Sequence, residues 1–297
     1  MRLSTSILAL VPLLMTVMAS PVPEPAPAAN SSLSKRAVSQ AVFDDLDHYM
    51  KYASTAYGWT SLCFSPLGNT LVDTFDSTIY DTQGYITRDD TRQEIVVAFR
   101  GSSTITDFIT DATIYQQLFI SVGVDAPFGT RVHAGFSNAY NSVAASMLLK
   151  VRSVVRDYPT YSIVTTGHSL GGALSTLAGI SLKQNFPTKA VRTYTYGAPR
   201  VGNDVFANWV NTEIGVDNLF RFIHTDDGVP TMLPTYLNYE HHATEYWQNP
   251  DPATPASVKK CVGNEDPTCS ASALISGGIN AAHLVYFGRS ASTTFCL

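Results

Sequence analysis

The chain has 297 residues, 45% of them hydrophobic and 14% charged, with a formal net charge of −5. That is enough for one large domain, or two small ones, with a sizeable buried core. An acidic balance without basic clusters argues against nucleic acid or an anionic membrane as the partner.

At the N-terminus Arg2 precedes the apolar run Ile7–Ala19. A basic start, an apolar centre and a small residue at the end predict a secretory signal peptide over residues 1–19, hence a secreted protein. The run is too short and too Pro-interrupted to span a bilayer comfortably, and no other stretch approaches spanning length, so no integral membrane association is expected. Residues 20–36 (SPVPEPAPAANSSLSKR) are dominated by Pro, Ala and Ser and end in the dibasic pair Lys35-Arg36. They read as an unpacked pro-segment, with Ala37 as the mature start. Its removal with the leader takes away Arg2, Lys35, Arg36 and Glu24, leaving the chain more acidic still. The sole Asn-x-Ser/Thr sequon, at Asn30, falls inside this segment, so no N-glycan is expected on residues 37–297.

Within that remaining single domain, Asp44–Tyr57 has helical apolar spacing. Ile79–Thr87 and Glu94–Phe99 read as strands separated by the polar turn RDDTRQ. Ser137–Tyr158 carries an amphipathic helical pattern that stops before Pro159. A strand, Tyr161–Thr166, leads into a helix over Leu170–Gln184. A further strand, Val191–Tyr196, ends at Gly197-Ala198-Pro199, and a helix follows at Asp204–Glu213. The strand Leu219–Ile223 runs into HTDDGVP. Alternating strands and helices predict an α/β fold with a largely parallel sheet covered on both faces.

Four cysteines in a secreted chain predict two disulfides. Cys261 and Cys269 bracket the polar turn VGNEDPT and can close a small loop, which leaves Cys63 with Cys296 across a very long one. No C-x-x-C is present, so a metal site is not expected.

The stretch GHSLG, residues 167–171, fits G-x-S-x-G between a strand and a helix. A sharp turn there exposes the Ser169 hydroxyl above the sheet edge, and the helix N-terminus favours negative charge at the same spot. Glycines flank it because side chains would collide with the neighbouring strand and helix. A serine hydroxyl needs a base, and the base needs an orienting carboxylate. In the chain order Ser, acid, His, the acid falls at Asp226 or Asp227, in the loop after LFRFI. His224 precedes both and fails the order. His241 and His242 sit in a Tyr- and Glu-rich loop and read as structural, so order favours His283 in INAAHLVYFG. For the oxyanion, one N–H comes from Leu170 and a second from the loop in IVVAFRGSS, where Ser102 can add its hydroxyl. All three members of the constellation are present, which favours an enzyme over a binding protein on the same scaffold. Chemistry of this kind requires neither metal nor cofactor.

The blocks FRGSS, TGHSLGGAL, YGAPRVGN, HTDDGVP, EYW and AHLVYFG resemble, in order and spacing, the secreted fungal class 3 lipases and their close cousins, the fungal feruloyl esterases. The resemblance spans Val38 to Leu297. It implies an α/β-hydrolase fold and carboxylic ester hydrolysis; the chain is expected to act as a monomer. It places the acid at Asp227, the base at His283 and the first oxyanion residue at Ser102. It also matches the Cys63–Cys296 bridge, and the Cys261–Cys269 pair looks like one in the feruloyl esterase branch. One departure is the absence of cysteine in DAPFGTRVHAGF, where relatives often carry a close pair just before VHAGF.

The resemblance also implies a lid after the oxyanion strand, here Ser103–Val124. Ile105, Phe108, Ile109 and Ala112 fall at i, i+3, i+4 and i+7, an apolar stripe. Leu118-Phe119-Ile120 adds apolar surface. A stripe of this kind suits a lipase that opens at a lipid–water interface onto acylglycerol esters. Thr104, Thr106, Asp107 and Thr110 keep the alternative, a feruloyl esterase acting on hydroxycinnamate esters of plant cell walls.

Overall fold

The computed structural model describes residues 37–61, 63–102, 114–273 and 278–296. The expected leader (1–19) and pro-segment (20–36) lie outside them.

One eight-stranded sheet organises the chain. Its strands are β1 (Thr70–Ser77), β2 (Thr82–Asp89), β3 (Glu94–Phe99), β6 (Ser162–His168), β7 (Val191–Tyr196), β8 (Leu219–His224), β9 (Glu245–Gln248) and β10 (Val258–Lys260), in that spatial order. From β3 through β9 the pairing is parallel, while β1, β2 and β10 pair antiparallel at the two edges. Two short hairpins, β4 (Gln116–Leu118) with β5 (Arg131–His133) and β11 (Val285–Tyr286) with β12 (Arg289–Ser290), stand outside it. The helices are α1 (Gln40–Thr55), α2 (Ala134–Asp157), α3 (Leu170–Asn185), α4 (Asp204–Val210) and α5 (Ala281–Leu284).

The apolar run EIVVAF explains why the sheet is central. A strand alternates its side chains, so a continuous apolar run must be covered on both sides. Ile95, Val97 and Phe99 enter the core formed with α2, α3 and α4, while Val96 and Ala98 enter a second core beneath α1. On α1, Leu46, Tyr49, Met50 and Ala53 recur at helical spacing and are all buried. Every residue of α3 from Leu170 to Leu182 is buried, as expected of a helix that is apolar all round.

The predicted strands Glu94–Phe99 and Val191–Tyr196 stand as read. The strand expected over Ile79–Thr87 starts later, at Thr82, because the chain turns through Asp81 at φ 47°. The helix expected from Ser137 starts earlier, because the His133 side chain accepts from Phe136 N–H at 3.3 Å and caps it. The helix over Asp204–Glu213 is regular only to Val210 and then widens into a π turn, Asn211–Gly215. Strands β1 and β10 have no counterpart among the expected elements, and β9 coincides with the EYW block.

Both disulfides pair as expected, Cys63 with Cys296 and Cys261 with Cys269. Among the described residues, Glu245 with Cys261 and Cys269 form a group of metal-ligand type, but both sulfurs are in the bridge, so no thiolate is available. No helix among the described residues is long and apolar enough to cross a membrane.

Candidate active site

At the carboxyl end of β6 the chain turns into α3 through Ser169, held at φ 60° and ψ −128°. A non-glycine residue there is strained, and such strain persists only where surroundings over-determine it. Here Ser169 N–H donates to Tyr196 O at 2.8 Å, and the first-turn amides of Gly172 and Ala173 donate to Ser169 O. The expected collisions at the flanking glycines are real: a Cβ on Gly167 would sit 2.2 Å from Gly171 O, and one on Gly171 would sit 2.3 Å from Phe99 O.

The chain brings the other two predicted residues to this point. Ser169 Oγ lies 2.9 Å from His283 Nε2. His283 Nδ1 lies 2.9 and 3.0 Å from the two oxygens of Asp227. All three are buried, at 1%, 2% and 2% exposure, and this desolvation strengthens each electrostatic contact. Asp227 follows β8, in the loop that begins after His224. Asp226, its sequence alternative, is exposed and its backbone oxygen accepts from Asn280 Nδ2 at 2.7 Å.

Two further donors fix the Asp227 carboxylate. Val229 N–H reaches Oδ1 at 2.9 Å and the Tyr286 hydroxyl reaches Oδ2 at 2.5 Å. Burial and the adjacent carboxylate push the Tyr286 phenol well above its ordinary range, so it stays a donor. Tyr286 lies in the AHLVYFG block but was assigned no role from sequence. Asn280 was also missed: it caps α5 by accepting from His283 N–H at 3.1 Å while tying that turn to the loop of Asp226 and Asp227.

Leu170 is the first residue of α3, so its own amide has no intrahelical acceptor. Ser102 lines a cavity of about 540 Å³ together with Tyr57, His168, His283 and Leu284. His241 and His242 are buried, bonded to Pro230 O and Ala243 O respectively. Ile105, Phe108 and Ile109 lie outside the described residues. In the remainder of the expected lid segment, Leu118 and Ile120 are exposed. Phe119 corrects the expectation that all three residues add surface: it is 4% exposed and packs edge-on to Phe206, with Tyr140 and Trp209 alongside. Phe119 follows β4 directly, and its amide donates to Thr130 O at 3.2 Å.

The family model for lipase (class 3) matches residues 96–237. A secreted alkaline triacylglycerol lipase of Penicillium cyclopium is 31% identical over 264 residues, 89% of this chain and 90% of that one. Secreted mono- and diacylglycerol lipase 1 of Fusarium solani is 38% identical over 209 residues, 68% of this chain and 59% of its own. A solved triacylglycerol lipase, described as having a serine protease triad at its catalytic centre, is 30% identical, covers 86% of this chain and 98% of its own, and superposes with a TM-score of 0.75. Shared sequence along most of both chains, on a common α/β-hydrolase sheet, makes this protein a member of the class 3 lipase family of fungal enzymes.

Proposed function

We propose that the protein is a secreted lipase that hydrolyses acylglycerol esters at a lipid–water interface, with Ser169 as nucleophile, His283 as base and Asp227 as its orienting acid. The observation that carries the proposal is the unbroken line Ser169 Oγ, His283, Asp227 with both links at 2.9 Å. His283 Nδ1–H donates to Asp227, so its Nε2 presents a lone pair to the Ser169 O–H. Nε2 takes that proton as Oγ attacks the ester carbonyl, and the imidazolium formed is stabilised by the carboxylate. The N–H groups of Leu170 and Ser102 hold the oxyanion; one such donor contributes about 10²–10³ in kcat. His283 returns the proton to the departing alcohol, and water repeats the sequence on the acyl-enzyme. The chain works as a monomer in this scheme, without a metal or cofactor.

Acylglycerols are favoured over aromatic esters by the names of the relatives, a secreted triacylglycerol lipase and a secreted mono- and diacylglycerol lipase. Leu118 and Ile120, exposed on the described part of the lid segment, suit contact with a lipid surface. Rates on emulsified triolein and on methyl ferulate, each measured below and above substrate solubility, test this choice. A rate jump with emulsified triolein is expected; strong ferulate turnover without a jump would reject it. Ser169→Ala should lose about 10⁶ in kcat and take no serine-directed phosphonate, whereas near-normal hydrolysis would remove the nucleophile assignment.

A further inference from the structure

The turn that carries His283 is too short to hold itself. α5 has four residues, and a single helical turn fixes several dihedrals in return for one hydrogen bond. Its last three carbonyls find donors elsewhere. His224 Nδ1 lies 2.9 Å from Ala282 O. His168 Nε2 lies 2.9 Å from His283 O. Ala291 N–H donates to Leu284 O at 2.9 Å. Two of these three donors are buried histidines, one immediately before the nucleophile and one three residues before the acid.

The partners dictate where the ring protons sit. A carbonyl oxygen only accepts, so Nε2 of His168 and Nδ1 of His224 carry hydrogens. Burial holds His168 well below the usual histidine range, so its ring is neutral and its Nδ1 has a lone pair. That lone pair receives the Tyr57 hydroxyl at 2.7 Å, which pins the tautomer. On His224 it is Nε2 that faces a side chain, the Asp251 carboxylate at 3.1 Å. The two histidines therefore grip the turn through opposite ring nitrogens. The His168 ring also lies 4.5 Å from that of His283.

We propose that His168 and His224 are positioning residues that clamp consecutive carbonyls of α5, and so keep the His283 imidazole in line between Ser169 and Asp227. The clamp rests on His283 being the base. Its use of opposite nitrogens gives a crossed test. A glutamine amide reaches about where Nε2 sits, and an asparagine amide about where Nδ1 sits. At position 168 the Gln variant should keep the bond to the base turn and the Asn variant should lose it; at 224 the order should reverse.

The measurement is kcat and KM on a soluble short-chain p-nitrophenyl ester, using the full chain. His168→Gln and His224→Asn are expected within about threefold of the unaltered protein in kcat. His168→Asn and His224→Gln should fall about 10- to 100-fold, the scale of an ångström's misplacement of a reacting group, with KM changed by less than about threefold. Loss of packing alone would rank Gln and Asn alike at both positions. The same ranking at 168 and 224, or unaltered kcat in all four variants, overturns the clamp. If one pair does not fold, the other pair carries the test, because each position has its own expected order. An unaltered chain that takes no phosphonate on Ser169 overturns instead the triad beneath it.

Discussion

Adding one methyl group at Gly197 should disable the site without unfolding the protein. Gly197 follows β7 at φ +56°, and a Cβ built there would lie 2.5 Å from Asp227 Oδ2, 2.5 Å from Tyr286 Oη and 2.9 Å from His283 Nδ1. Ordinary contact begins at 3.4 Å, so the carboxylate and the phenol must each retreat by about 0.9 Å. Neither has slack. Asp227 is held by Val229 N–H, and the Tyr286 ring is packed among Tyr196, Phe222 and His224. A displacement of about 1 Å in an acid–base pair costs about 10²-fold in turnover. Gly197→Ala should therefore lower kcat about 100-fold on a soluble ester with KM little changed. The left-handed backbone adds about 1 kcal/mol and overpacking about 1–3 kcal/mol, so Tm should fall by only several degrees. Gly129→Ala is the control: its φ is +87° but nothing lies within 4 Å of the added Cβ, so it bears the backbone cost alone and should keep full activity. Gly197→Ala with kcat within about threefold of the unaltered protein would refute the reasoning.

The two disulfides should differ in worth. They close separations of 233 and 8 residues, so in the chain-entropy account removing Cys63–Cys296 costs about 5 kcal/mol and removing Cys261–Cys269 about 2.5 kcal/mol. Urea unfolding of the two double-serine variants checks the order, and equal losses would count against loop closure as the cause. His133 gives a pH dependence. Burial lowers its pKa to about 4 from the ordinary histidine value of about 6.5, so between those values the unfolded chain binds a proton that the native chain does not. Stability should fall as pH drops from about 6.5 to about 4, by about 3 kcal/mol from this group, and level off below. His133→Asn keeps an acceptor for the Phe136 amide but cannot titrate. Its stability curve, from urea midpoints at several pH values, should be flatter across that window; parallel curves would contradict the assignment.

Much of this was legible because local and global signals agree. Glu94–Phe99 and Val191–Tyr196 are apolar or β-branched runs that only a two-sided sheet can bury, and their limits were read to the residue. GHSLG announced a strand–turn–helix because the backbone there leaves no room for side chains beside the serine. Strand β1 was illegible because it is an edge strand with just Phe75 fully buried, and β10 has only three residues. Asp226 and Asp227 follow the same strand, so spacing alone could not separate them; contacts 56 to 59 residues distant, to His283 and Tyr286, do. The histidines at 168 and 224 were unreadable for the same reason, since their partners in α5 lie 115 and 58 residues away. Phe119 misled because an apolar triplet does not reveal which of its members the core will take up.

The backbone at Ser169 also limits what could ever replace it. At φ 60° and ψ −128° an unbranched Cβ substituent is tolerated, whereas a branched one is an outlier. Threonine, the mildest chemical exchange for a serine hydroxyl, is thus excluded by shape, while cysteine, a different chemistry, fits. Evolution or engineering at this elbow is free to explore thiols but not secondary alcohols.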